Sequence, residues 1–141
     1  LTRLVLPGMA EQGYGVVTNI SSVNGIQALG NPAYSAAKAG LISFTQTLAT
    51  EYGPKGIRSN VIVPGTIETP VWKHRVDARP DVFEIVKSWY PVGRVGKPED
   101  IAAAVAFISA DEAGFVNGAS LAVDGGLTAG SFRMIKDMIG K

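Results

Sequence analysis

The 141-residue sequence contains no cysteine, which excludes a disulfide framework and any thiolate metal site, and fits a reducing, cytoplasmic setting. It contains one histidine, His74. A metal site or a histidine-centred triad therefore finds no partners, and His74 is expected at the surface. Neither sign of charge prevails, since 13 basic against 12 acidic side chains leave +1. Binding of nucleic acid or of an anionic membrane through bulk electrostatics is not expected. No long apolar run occurs either. The uncharged stretch 12–37 interleaves Asn19, Ser21, Ser22, Asn24, Gln27 and Asn31 with its hydrophobic residues, so it cannot be a membrane-spanning helix. The opening LTRLVLPGM lacks a charged region followed by an apolar one, so no signal peptide is expected there. It resembles the last turns of an amphipathic helix and starts with Leu1, which suggests a fragment.

What is abundant is glycine, 17 in 141 residues, against an average usage of about 7%. The glycines fall between apolar runs, as expected of many short connections. With 46% hydrophobic residues the chain is not disordered, and its length suits one domain. Val16–Ser21, following Gly-Tyr-Gly, reads as a strand. Pro32 opens a helix whose apolar face runs through Ala37, Leu41, Phe44, Leu48 and Tyr52, and Gly53-Pro54 ends it. Ile57–Val63 is a second strand, stopped by Pro64-Gly65. Residues 66–97 look irregular. Pro98-Glu99-Asp100 starts another helix with acids in its first turn, and Ser120–Val123 is a last strand before Asp124-Gly125-Gly126 and a tail. Strands alternating with helices predict an α/β fold with a parallel sheet.

The chemistry-bearing constellation is Ser22, Tyr34 and Lys38. Tyr34 and Lys38 are spaced i, i+4, which puts both on one helix face. A tyrosine hydroxyl ordinarily ionises near pH 10, and a neighbouring ammonium favours the phenolate. Acid/base work near neutrality asks for about 4 kcal/mol of such preference, a task for one cation together with a positively charged cofactor ring. Ser22, at a strand end just before the helix, can donate a hydrogen bond to a substrate oxygen. An acid/base beside an oxygen-binding hydroxyl is what carbonyl reduction requires when a cofactor supplies the hydride. Alone, a Tyr-x-x-x-Lys pair is more often two surface neighbours.

The surrounding text is more specific. Gly15-Val-Val-Thr-Asn-Ile-Ser-Ser22, the interval to Tyr34, and Ser-Ala-Ala-Lys38-Ala-Gly40 resemble the short-chain dehydrogenase/reductase family. So do Gly56-Ile-Arg-Ser-Asn-Val-Ile-Val-Pro64-Gly65-Thr-Ile-Glu-Thr69-Pro70, Gly96-Lys-Pro-Glu-Asp-Ile101 and Val123-Asp-Gly-Gly126. Within the family the likeness is to reductases of the 3-oxoacyl-carrier-protein and glucose-dehydrogenase kind. The resemblance implies an oxidoreductase interconverting an alcohol and a ketone with NAD or NADP. Tyr34 would be the acid/base, Lys38 would assist it and hold the nicotinamide ribose, and Ser22 would hold the carbonyl. Ser22 is preferred to Ser21, which should point to the other side of the strand. Pro64-Gly65 would let the backbone approach the nicotinamide. Ile67 would meet the carboxamide through its main chain, Thr69 would lie near the amide or diphosphate, and Ile20 would line the ring. Outside the resemblance, Pro64-Gly65 is simply a strand stop and Thr69 a helix N-cap. Residues 66–97, with Trp72, His74, Trp89 and Tyr90, occupy the place of the family's substrate lid.

The departure from the family is one of extent. Such enzymes have doubly wound, Rossmann-like sheets with a Gly-x-Gly-x-x-Gly phosphate loop, and no such loop occurs here. Residues 1–141 are accordingly expected to be one partial catalytic domain, the C-terminal half of the fold without the glycine-motif half. The expected partners are a small carbonyl or alcohol substrate and, at full length, further copies in a dimer or tetramer. The alternative is a non-catalytic fragment or interaction module, with an exposed sheet edge at Val16–Ser21 ready to pair.

Overall fold

The strand IRSNVIVP is nearly continuous in apolar character, the pattern of a strand covered on both faces. In the computed structural model, which describes residues 1–140, it is β2 (Ile57–Pro64), buried at every position but Arg58. It is the centre of a three-stranded sheet ordered β1-β2-β3. β1 (Gly15–Ile20) pairs with it in parallel from Gly15 opposite Ile57 to Ile20 opposite Ile62. β3 (Ser120–Val123) pairs on the other side, from Val61 opposite Ser120 to Pro64 opposite Val123. β1 is an edge strand among the described residues.

Side chains alternate along a strand, and neighbours on β1 show where the helices lie. Asn19 Nδ2 donates to Thr45 Oγ1 of α2 (Pro32–Tyr52) at 2.9 Å, whereas Thr18 Oγ1 bonds Ser109 Oγ of α5 (Pro98–Ser109) at 2.8 Å. The two helices therefore cover opposite faces. On the α2 side, Leu6 of α1 (Thr2–Gln12) packs with Leu48 and Ile57, joined by Met9, Val17 and Tyr52. Burial of each large aliphatic side chain there contributes about 1.5–3 kcal/mol. On the α5 side, Arg58 donates to the carbonyls of Ile108, Ala110 and Val116, each at 3.0 Å. These include carbonyls at the C-terminal end of α5, where unpaired acceptors and the helix dipole favour a cation.

Two segments are more ordered than the sequence pattern suggests. Residues 66–97 hold a 3₁₀ turn at Pro70–Trp72 and two short helices, α3 (Lys73–Ala78) and α4 (Val82–Lys87). Six residues are under two turns, too few for a 3.6-residue period to register. Packing of Trp72 on Phe83, with centroids 5.4 Å apart, stands in for the periodicity. The tail holds α6 (Phe132–Ile139), apolar on one side and exposed apart from the partly buried Phe132. No helix in the described residues is long and apolar enough to cross a membrane.

Candidate active site

The site is assembled where β1 ends and α2 begins. Ser21 and Ser22 leave the sheet and enter a 3₁₀ turn, Val23–Gly25, for which Ser22 is the N-cap. Ser22 Oγ accepts from the Asn24 amide and donates to Asn24 Oδ1, both at 3.3 Å. Ser21 Oγ turns the other way and donates to the Lys38 carbonyl at 2.8 Å, tying the strand end to α2. Gly25 makes this closure possible. A Cβ there would lie 2.9 Å from the Lys38 carbonyl carbon and 3.0 Å from the Ala39 nitrogen, which is closer than side chains pack against backbone.

The start of α2 is fixed by Asn31, in the left-handed region at φ 50°, which asparagine tolerates better than most residues. Its Oδ1 accepts from the Tyr34 amide at 3.4 Å, and Pro32 occupies the first helical position. Tyr34 is thereby held in the first turn, with its ring partly exposed. Lys38 follows one turn later. Its ammonium donates to the Ile20 carbonyl at 2.9 Å and lies 5.6 Å from the Tyr34 ring centroid.

Opposite this floor stands the chain after β2. A cavity of about 590 Å³ separates the two and is bounded by Ser22, Tyr34, Gly65, Thr66 and Ile67. That volume is in the range of small-molecule sites, and the cleft lies beyond the carboxyl ends of the strands, where open α/β sheets bind ligands. Lys38 stands beside the cavity, joined to it through Tyr34. Ile20 takes part through its carbonyl. Pro64, buried, ends β2, and the Gly65 amide donates to the Val123 carbonyl at 3.1 Å. Thr69 borders a separate hollow with Glu68, Trp72 and Phe83. It is the N-cap residue of the 3₁₀ turn, without a capping side-chain hydrogen bond.

Tyr90 was legible only as one aromatic among several, yet it organises the far wall. It is 3% exposed, and its hydroxyl accepts from the Thr66 amide at 2.6 Å. A Cβ on Gly65 would meet the Tyr90 ring and hydroxyl at 3.0 Å and the Asp124 Cα at 3.1 Å. Glycine at position 65 is thus also demanded by Tyr90 and the end of β3. The far end of the segment is pinned by a bridge between Ile67 and Gly96 and by Arg94, whose guanidinium donates to both oxygens of Asp100 at 2.6 and 2.8 Å. Arg94 first, and then the Lys97 amide, hold the Asp100 carboxyl well below the usual carboxylate range.

The family model described as Enoyl-(Acyl carrier protein) reductase matches residues 1–128. An uncharacterized oxidoreductase of Schizosaccharomyces pombe is 54% identical over 137 residues, which are 96% of this chain and 53% of that protein. The crystal structure of a short-chain dehydrogenase/reductase family oxidoreductase from Burkholderia thailandensis superposes with a TM-score of 0.96 at 49% identity, covering 99% of this chain and 55% of that one. A provisional 2-deoxy-d-gluconate 3-dehydrogenase from Agrobacterium tumefaciens, solved with bound NADP, superposes at 0.83 with 39% identity, covering 92% of this chain and 53% of that one. The chain spans about half the length of the relatives it matches.

Proposed function

Because this chain belongs to the short-chain dehydrogenase/reductase family and carries the C-terminal half of its Rossmann-like fold, we propose that it interconverts an alcohol and a ketone with NAD or NADP. The observation that carries the reading is the convergence of Ser22 and Tyr34 on one cavity with Lys38 beside Tyr34. Relatives solved with NADP support the choice of coenzyme.

The residues fit the nicotinamide–ribose end of such a coenzyme. One hydrogen bond from the Lys38 ammonium goes to Ile20, which leaves two donors for ribose hydroxyls. Ile20, Pro64, Gly65, Ile67 and Thr69 are the residues that would surround the ring and its amide, Thr69 from its neighbouring hollow. When bound, the coenzyme supplies a hydride to the carbonyl carbon. Ser22 Oγ exchanges its long bond to Asn24 for one to the substrate oxygen and so orients the carbonyl. Tyr34 gives its hydroxyl proton to that oxygen as negative charge builds there. The nearby Lys38 charge stabilises the phenolate left behind, by simple Coulomb attraction. In the oxidative direction the same phenolate removes the alcohol proton.

Association of the whole protein into a homo-oligomer belongs to this reading, supported by Leu4 on α1 and Phe44 on α2, which are exposed at 80% and 42%. The decisive test is Tyr34→Phe. Carbonyl-dependent oxidation of NADH or NADPH should fall by about 10²–10⁴-fold, the ordinary worth of a positioned acid/base, while coenzyme fluorescence still reports binding. Undiminished turnover in the variant overturns the assignment.

A further inference from the structure

The same cavity carries an electrostatic asymmetry that the proposed chemistry does not use. Its boundary includes Tyr34 together with Arg75 and His74 from α3, and no aspartate or glutamate. Glu68, close by in sequence, borders the neighbouring hollow instead. Four other bases of residues 66–97 are spoken for. Lys73 pairs with Asp77 at 2.7 Å, Arg79 with Asp81 at 3.2 Å, Lys87 with Glu84, and Arg94 with Asp100 at 2.6 Å. Among the described residues, Arg75 and Lys97 alone of the arginines and lysines of 66–97 make no ion pair, and of the two only Arg75 lines the cavity. Its guanidinium is instead laid over the Trp72 ring, 4.8 Å from the centroid. Stacking on an aromatic face orients the planar fork without consuming its N–H donors.

We propose that Arg75 is a specificity-determining residue, and that the substrate is a carbonyl compound bearing an oxyanion, a carboxylate or phosphate, which Arg75 receives while its carbonyl lies at Ser22 and Tyr34. An unpaired cation on the wall of a cavity without acids favours an anionic ligand over its neutral analogue, and a guanidinium binds planar oxyanions through two parallel hydrogen bonds. Trp72, Val71 and Leu127, which also line the cavity, take up the carbon skeleton between the two ends. The word substrate rests on the reductase reading; the anion preference rests on the cavity.

The test pairs 2-oxo-, 3-oxo- and 4-oxopentanoate with their methyl esters, and dihydroxyacetone phosphate with dihydroxyacetone. The unmodified protein should prefer one anion series in kcat/KM. In Arg75→Gln that preference should drop by about ten- to a hundredfold, with the neutral members changed little and Arg75→Lys intermediate. In parallel, the proton signal of the single histidine, His74, assigned by its loss in His74→Gln, should move on titration with the preferred anion and stay still in Arg75→Gln. An anion-to-neutral ratio that Arg75→Gln leaves unaltered overturns the proposal. So does a raised KM for NADH or NADPH with that ratio intact, which reassigns Arg75 to the coenzyme's phosphates. If the His74 signal responds through Arg75 but no carbonyl compound is turned over, the anion site stands and the reductase reading falls.

Discussion

The two walls of the cavity are built in different ways. The floor, residues 20–38, is a strand end, a turn and a helix start that lock onto one another. Ser21 bonds the Lys38 carbonyl, Lys38 bonds the Ile20 carbonyl, and Gly25 lets the turn lie against the α2 backbone. The far wall, residues 66–97, is two short helices suspended from a few long-range tethers: the Thr66 amide on the Tyr90 hydroxyl, the Ile67–Gly96 bridge, and Arg94 on Asp100. Rigid elements hold reacting groups with the least positional error, whereas a segment with few tethers opens at lower free energy. On the proposed reading, chemistry would sit on the floor, and substrate capture on the wall that can yield.

This contrast is sharpest at Gly25. Gly25→Ala inserts a methyl group against the Lys38 backbone and must shift the Ser22 turn. We expect about 1–3 kcal/mol of destabilisation from overpacking and a fall in kcat larger than any change in KM, because a misplaced acid/base partner is felt in the transition state. Thermal unfolding and steady-state kinetics on the same preparation check it. A change confined to KM would break the distinction between floor and wall.

The converse is Tyr90→Phe. Loss of the hydroxyl leaves the Thr66 amide without its 2.6 Å acceptor, at a cost of about 1–3 kcal/mol if that amide stays dry. The expected result is a raised KM for the carbonyl substrate with kcat less altered, and faster amide hydrogen exchange at residues 66–90. Equal loss in kcat would place Tyr90 with the chemistry.

The smallest effect is expected from acid. Asp100 in the folded chain is held below its ordinary ionisation range, first by Arg94 and then by the Lys97 amide. A carboxyl depressed in this way contributes stability that is fully present above its unfolded value, near pH 4, and is lost as pH falls through the folded value. The Arg94–Asp100 pair is partly exposed, so the contribution is modest and salt-sensitive. Melting temperature followed downward from pH 5 should decline less steeply in Asp100→Asn than in the unmodified protein, and the two curves should converge at the acid end. Parallel curves would remove this tether from the wall's supports.

The difference between the walls is also a difference in what could be read. Ser22, Tyr34 and Lys38 lie within one strand–turn–helix stretch, and the i, i+4 spacing places the last two on one face through helix geometry alone. The three strands, α2 and α5 were legible within a residue or so, because period and punctuation agree there. Residues 66–97 gave no period, since α3 and α4 are each shorter than two turns. Nothing local marks Tyr90 as the residue that fills the space beside Gly65, or singles out Arg75 among the six lysines and arginines of residues 66–97. The sequence by itself determined the α/β order, the parallel sheet and the placement of Ser22, Tyr34 and Lys38 in one strand–turn–helix stretch, because those follow from short-range backbone geometry. Only the tertiary structure decided which aromatic supports the far wall and which basic side chain faces the cavity without an ion pair, because both depend on contacts between residues remote in the chain.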